Sequence, residues 1–251
     1  MDTEFFPGEN DGSKDRVLVV VAGGLQRTKE QMHDIRDTLR NEIKLSEYHK
    51  ADVQLFAFSP YECWNLRNLK IIGKAFQMEE ANHFVADILY YIEKRWEEVK
   101  YDRIVFVGHS MGTVFIRKAY VAATGLFRKY KFEESIYDHL EARLGRDPNM
   151  THWLPKVERI VMLSGLLRGW NLDEFGLNWS FVTLARLAKP IAFLIEPRPL
   201  ISQLEYTEKF PARLRLQWIE LPELKKDLPT VIQLLGTKDE FVAPESCIDP
   251  C

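Results

Sequence analysis

The sequence predicts an α/β protein with a mostly parallel sheet and helices on both faces. Its 251 residues are enough for one large domain with a complete hydrophobic core. Short β-branched runs alternate with longer amphipathic stretches, and this alternation is typical of parallel strands joined by helices. Three predicted strands end next to residues suited to chemistry: Gly24, Ser110 and Asp239. Ligands of open parallel sheets bind at those carboxyl ends, so a functional site is predicted there.

Two strands and two helices are predicted before residue 100. Residues 16–22 form a continuous apolar run, as expected of a strand buried on both faces of a sheet. Residues 28–45 have apolar side chains at helical spacing, and the first threonine can cap a helix. Residues 52–58 are the second strand, which a Ser-Pro pair ends. Residues 61–76 have a loop-like composition, and residues 78–99 form a long helix with one apolar face.

Three more strands are predicted in the rest of the chain. Residues 103–107 are the third strand, and a helix over residues 110–124 follows it closely. Residues 125–156 are charged and less regular, so we expect them to leave the sheet. The fourth and fifth strands are predicted at residues 157–164 and 230–235.

The predicted domain covers residues 16–251, after an acidic and flexible N-terminus at residues 1–15. Within the domain, residues 166–221 are rich in aromatic side chains and show no strand pattern. Two interpretations of this stretch remain open. It is either ordinary core packing, or a cap or lid that lines an apolar substrate pocket.

Composition excludes several classes of function. The net charge is only −3, which gives no argument for binding nucleic acid or an anionic membrane surface. The three cysteines are widely spaced and form neither a disulfide framework nor a metal site, so we expect no metal and no cofactor. No apolar stretch approaches the ~18 residues of a membrane span. The N-terminus lacks the features of a signal peptide, so we expect a cytoplasmic protein.

The motif at residues 108–112 has the sequence Gly-His-Ser-Met-Gly, directly after the third strand. This pattern is typical of a nucleophile elbow, a sharp strand–turn–helix with serine at its apex. Gly108 and Gly112 lack Cβ atoms and permit the close approach that such a turn requires. The turn would expose Ser110 above the sheet and direct the Met111 N–H toward an oxyanion. His109 would point away from the apex and serve in packing or polar support.

At these residues the chain resembles the α/β-hydrolase superfamily, in its lipase and esterase branch. The resemblance covers residues 16 to about 242, with a looser match over 166–221. The Gly-His-Ser-Met-Gly motif is common in that superfamily. Val-Ala-Gly-Gly at residues 21–24 stands where the family usually has His-Gly. Gly-x-x-Asp-x-x-Val at residues 236–242 is similar to the acid turn of the family.

The resemblance implies a role for each matching residue. Ser110 would be the nucleophile, and the N–H of Met111, with that of Gly24 or Leu25, would form the oxyanion hole. Asp239 would orient the catalytic histidine, and Asp173 is the alternative acid.

The family order is serine, then acid, then histidine. All six histidines of this chain precede Asp239. We therefore expect the catalytic histidine, with the last strand and helix, to follow residue 251, and the chain to be a fragment or truncated gene product. Without a base Ser110 attacks slowly, so this chain alone is expected to be a very poor hydrolase unless another histidine takes that role. A sheet without its last strand has an uncovered edge, which predicts self-association.

Two functions remain open. The first is a serine hydrolase that cleaves carboxylic esters, either lipid-like or small acyl esters, through an acyl-enzyme on Ser110. The second is a non-catalytic module with the hydrolase fold that binds a small apolar ligand or a partner protein.

Overall fold

The computed structural model describes residues 2–6, 15–24, 37–38, 41–42, 51–59, 81–169 and 203–235. In these ranges six strands form one sheet: β1 (Asp2–Phe6), β2 (Asp15–Ala22), β3 (Ala51–Ser59), β4 (Arg103–His109), β5 (Val157–Leu163) and β6 (Thr230–Leu234). The described helices longer than one turn are α1 (Ala81–Glu98), α2 (Gly112–Ala123), α3 (Glu134–Leu144) and α4 (Lys209–Leu224). Short 3₁₀ helices cover Lys131–Glu133 and Leu154–Lys156.

The strands are arranged in the order β1-β3-β2-β4-β5-β6. All the strands except β1 are mutually parallel. Strand β1 pairs with β3 in the antiparallel direction. The chain runs outward from β2 to β3 and then crosses back past β2 to form β4. Strand order therefore reverses between β2 and β4, which is where open α/β sheets form a ligand crevice at the carboxyl ends of their strands.

The predicted fold class and the five predicted strands are confirmed. Each strand lies within two residues of its predicted bounds. Val17–Ala22 are all buried, as expected of a strand covered on both faces. Helix α1 lies within the predicted residues 78–99. Most of the helix predicted over residues 28–45, and the loop predicted over residues 61–76, lie outside the described residues.

Strand β1 corrects the prediction for the N-terminus, where no strand was expected within residues 1–15. It pairs over five residues with β3, from Asp2 opposite Ser59 to Phe6 opposite Leu55. Its five residues include two phenylalanines and a threonine, which favour strands, but a run this short among acidic and glycine-rich neighbours does not predict one. The free edge of β3 supplies the backbone partners, so tertiary pairing decides the conformation.

Helix α3 lies within residues 125–156, which were predicted to be less regular and for which no helix was expected. Its buried face is formed by Ile136, Tyr137 and Leu140, which pack toward α1. Gly145 ends the helix with a φ of 68°, a left-handed conformation that glycine adopts at low cost. The predicted excursion from the sheet is still present, because these residues contribute no strand.

Helix α2 lies at the centre of the helix layer. All twelve of its residues are buried, and it contacts β2, β4 and β5 as well as helices α1 and α4. Helix α4 overlaps the end of the predicted cap or lid, and its Leu214 and Leu221 are buried in the core. Residues 170–202 of that stretch lie outside the described ranges. No helix in the described ranges is long and apolar enough to cross a membrane.

Candidate active site

Ser110 occupies the apex of a sharp turn between strand β4 and helix α2. The strand ends at His109 and the helix begins at Gly112, so two residues make the connection. The φ of Ser110 is 52°, in the left-handed region that residues with a Cβ rarely adopt. Its N–H donates to the carbonyl of Leu163 at 2.9 Å and so anchors the turn to the neighbouring strand β5. Strain of this kind is typical of functional sites, where surrounding contacts hold the backbone in place.

Two glycines permit the close packing around this turn. A Cβ atom on Gly108 would lie 2.5 Å from the Cα of Thr113. A Cβ atom on Gly112 would lie 2.0 Å from the carbonyl oxygen of Ala22. Both distances are far below van der Waals contact, so neither position accepts a side chain without movement of the backbone. The start of α2 is thereby pressed against the carboxyl end of β2.

Gly24 follows β2 and lies beside Ser110. A Cβ atom on Gly24 would lie 2.8 Å from the Cβ of Ser110 and 3.0 Å from Nδ1 of His109. The structure thus brings together two of the predicted site residues, Ser110 and Gly24, at the point where strand order reverses. Leu25, the alternative donor from the same loop, lies outside the described residues.

Met111 is the N-cap residue of helix α2. Its N–H belongs to the first turn, where backbone donors have no partner within the helix. The helix dipole adds partial positive charge at the same end. Both effects favour an anion next to Ser110, so this peptide is suited to stabilise a tetrahedral oxyanion.

Two polar residues beside the turn were missed by the sequence analysis. Thr113 is fully buried, and its hydroxyl donates to the Ser110 carbonyl at 2.6 Å. Ser164 follows β5 directly and has a φ of 47°, and its N–H donates to the carbonyl of Leu234 at 2.9 Å. The pairing of His109 with Leu163 places Ser110 and Ser164 at equivalent ends of neighbouring strands. The only signal for Ser164 in the sequence was its position directly after an apolar run.

The described histidines other than His109 lie in the helix layer. His139 on α3 lies 3.1 Å from the carboxylate of Asp87 and stacks on His83, with ring centroids 4.5 Å apart. His152 lies 3.7 Å from the carboxylate of Glu93. Asp239 and the alternative acid Asp173 are outside the described residues, so the acid and the base of a triad stay predictions.

A buried polar network joins α2 to α4 and to the 3₁₀ helix Lys131–Glu133. Lys118 forms an ion pair with Glu133, and Gln217 on α4 hydrogen-bonds to both side chains. Burial lowers the pKa of the Lys118 ammonium below its usual value, and the attraction of Glu133 opposes this shift. The network fixes α2 against α4 and the 3₁₀ helix that carries Glu133, so it supports the helix that begins at the serine turn.

Residues 12–138, just over half of the chain, match the family described as "Putative serine esterase (DUF676)". The chain therefore belongs to this family. No curated protein matches the sequence.

Several solved structures have a similar fold. The propeptide form of the lipase BlEst2 from Bacillus licheniformis has a TM-score of 0.51 at 16% identity, and the match covers 98% of this chain and 47% of that chain. This chain therefore spans about half the length of that form. A soluble variant of monoglyceride lipase from Saccharomyces cerevisiae has a TM-score of 0.49 at 14% identity. The match covers 97% of this chain and 75% of that chain. A structure reported for the metagenome-derived lipolytic enzymes LipS and LipT has a TM-score of 0.48 at 14% identity. The match covers 97% of this chain and 79% of that chain.

The family match and the fold together confirm the predicted resemblance to the lipase and esterase branch of the α/β hydrolases. At these identities, likeness to a solved structure shows the fold alone.

Proposed function

We propose that this protein is a serine hydrolase that cleaves carboxylic esters through an acyl-enzyme on Ser110. The observation that carries the proposal is the position of Ser110. Its backbone has a strained φ of 52° at the apex of the turn between β4 and α2. This turn lies where strand order reverses, and Gly24 packs directly against Ser110. Membership of a family described as serine esterases supports an ester as the substrate.

In the proposed reaction, Ser110 Oγ attacks the ester carbonyl while a base accepts its proton. The carbonyl oxygen becomes a tetrahedral oxyanion, which the Met111 N–H stabilises together with the N–H of Gly24 or Leu25. One such donor contributes about 10²–10³ in turnover. The intermediate then collapses. The leaving oxygen takes the proton from the base and departs as the alcohol, and an ester between Ser110 and the acyl group remains. Water then attacks this ester, and the acid is released.

The proposed base is a histidine oriented by Asp239, as the family pattern implies. All six histidines within residues 1–251 precede Asp239, so a base from this range departs from the family's order of serine, acid and histidine. A neutral imidazole accepts the serine proton, and its charged form is stabilised by the carboxylate. With a histidine as base, kcat/KM should rise with pH and level off above a midpoint near ~6.5. A profile that stays flat between about pH 5 and 8 would contradict this base.

The test is hydrolysis of p-nitrophenyl esters with short and long acyl chains by the wild-type protein and by Ser110→Ala. Ser164→Ala is the matched control, because Ser164 has the same strained backbone on the adjacent strand. We expect Ser110→Ala to lose at least ~10³ in kcat and Ser164→Ala to retain activity. The acyl-chain preference then distinguishes small esters from lipid-like ones. Turnover that is equal in wild type and Ser110→Ala would refute the hydrolase, and saturable binding of the ester in both would favour the non-catalytic module.

A further inference from the structure

Thr113 connects two turns at the carboxyl ends of neighbouring strands. Its hydroxyl donates to the carbonyl of Ser110 at 2.6 Å and accepts the N–H of Leu166 at 3.1 Å. Its methyl group packs against Gly165, where a Cβ atom would lie 3.2 Å from Thr113 Cγ2. The side chain is fully buried. The turn after β4 and the turn after β5 are thus joined through one hydroxyl group.

The same residue holds the Ser110 carbonyl from two directions. The Thr113 N–H also donates to this oxygen, at 3.1 Å. The carbonyl of Ser110 and the N–H of Met111 belong to one planar trans peptide and point in opposite directions. Two donors on the carbonyl therefore fix where the N–H of Met111 points. Rotation of this peptide would break both hydrogen bonds and leave a partly buried carbonyl unpaired.

We propose that Thr113 is a positioning residue that holds the Ser110–Met111 peptide with its N–H directed at the oxyanion. The inference rests on the proposed ester hydrolysis and adds a residue to it. Thr113 touches neither substrate nor reacting atoms, so it acts entirely through Met111. An oxyanion forms only during the reaction, so the effect of Thr113 belongs to kcat and not to substrate binding.

The test compares Thr113→Val, Thr113→Ser and Thr124→Val. Valine keeps the shape of threonine and removes both hydroxyl hydrogen bonds, whereas serine keeps the hydroxyl. Thr124 at the other end of α2 is the matched control, because its hydroxyl likewise donates to a carbonyl, that of Val121 at 2.6 Å. It also accepts a backbone N–H, that of Leu126 at 3.3 Å. Thr113→Val should fold, because the Arg117 guanidinium still ties α2 to the Leu167 carbonyl at 3.0 Å.

We expect Thr113→Val to lower kcat about 10–100-fold with KM changed by less than about twofold. This loss in kcat is smaller than the loss expected from removing an oxyanion donor altogether, because the Thr113 N–H still holds the Ser110 carbonyl. Thr113→Ser should retain most of the activity, and Thr124→Val should match the wild type. The rate of labelling by a fluorophosphonate should fall with kcat, because the tetrahedral phosphonate oxygen requires the same N–H. If Thr113→Val does not fold, Thr113→Ala removes the same hydroxyl without added bulk and is measured in its place.

A folded Thr113→Val or Thr113→Ala with the kcat of the wild type would overturn the inference, and so would a change in KM alone. The Ser110→Ala variant distinguishes failure of the proposed hydrolase function from failure of the proposed role of Thr113. If Ser110→Ala is as active as the wild type, the hydrolase proposal and the role of Thr113 fail together. If Ser110→Ala is inactive while the Thr113 variants are fully active, only the role of Thr113 fails.

Discussion

The carbonyl oxygen of Ala22 lies 2.0 Å from the position that a Cβ atom of Gly112 would occupy. The first residue of α2 therefore touches the last residue of β2 directly, backbone against backbone. This contact holds the helix N-terminus, and with it the turn at Ser110, against the carboxyl end of the neighbouring strand. The position of the serine depends on a glycine at residue 112.

Replacing Gly112 by alanine should therefore destabilise the fold severely. The atom that the new methyl would meet belongs to the backbone, so either α2 or β2 must move, at a cost of about 3 kcal/mol or more. Gly125→Ala is the matched control, because nothing lies within 4 Å of its added Cβ and only its φ of 70° opposes alanine. That strain costs about 1–2 kcal/mol. Urea denaturation of both variants measures the difference, and equal losses would contradict the close contact.

Gly24→Ala should reduce activity more than stability. Its methyl would lie 2.8 Å from the Cβ of Ser110, so it displaces either the serine or the loop after β2. A displacement of about 1 Å at a reacting group costs roughly 10² in rate. The expected result is a loss of that size in kcat/KM for p-nitrophenyl butyrate with cooperative unfolding retained. A variant with wild-type kinetics would show that Gly24 is not packed against Ser110.

The sequence predicted the strands closely because apolar runs such as residues 16–22 have few other stable positions in a sheet. The position of Ser110 was predictable because its motif demands a strand on one side and a helix on the other. Strand β1 was not predictable, since its pairing with β3 is a long-range contact that no local pattern records. Helix α3 was missed because charged residues obscure the spacing of its buried Ile136 and Leu140.

Thr113 and Ser164 show a different limit of sequence analysis. Each is one of many hydroxyl residues in the chain, and each becomes informative only through geometry. Thr113 matters because its hydroxyl reaches two turns, and Ser164 because its φ is 47°. Neither a hydrogen-bond partner distant in sequence nor a backbone angle can be inferred from residue type alone. Spatial neighbours decide both.

Removing one member of the buried pair Lys118–Glu133 should cost far more than removing a member of an exposed pair. Both side chains are almost fully buried, so Lys118→Met leaves a carboxylate without its cation and should cost about 3–5 kcal/mol. The double variant with Glu133→Leu should lose less than the sum of the single losses. Lys94→Ala breaks an exposed pair with Glu97, 2.9 Å apart, and should cost far less, because water screens exposed charges. Additive losses at Lys118 and Glu133 in urea denaturation would contradict this coupling.

Tyr137 should make the protein less stable at alkaline pH. Burial raises the pKa of its phenol, whose hydroxyl donates to the Ala122 carbonyl at 2.7 Å. The unfolded phenol ionises above about pH 10, whereas the folded one stays protonated. Stability from this residue is therefore fully present below pH ~10 and falls by about 1.4 kcal/mol per pH unit above it.

Tyr137→Phe cannot ionise, so its stability should fall less steeply above about pH 10 than that of the wild type. At neutral pH the variant should be less stable by about 1 kcal/mol, because it lacks the hydrogen bond to Ala122. Urea denaturation at neutral and alkaline pH measures the free energy of unfolding of both proteins. Because all other titrating groups are common to the two proteins, their contributions cancel in the difference. Parallel pH profiles would show that Tyr137 is not the titrating group.

Covalent labelling tests the central claim, that Ser110 is the nucleophile, most directly. The protein is incubated with a fluorophosphonate, digested, and the modified peptide is identified by mass spectrometry. We predict one adduct on Ser110, which is absent from Ser110→Ala and retained in Ser164→Ala. An adduct on Ser164, or none on Ser110 in the folded protein, would contradict the assignment of the nucleophile.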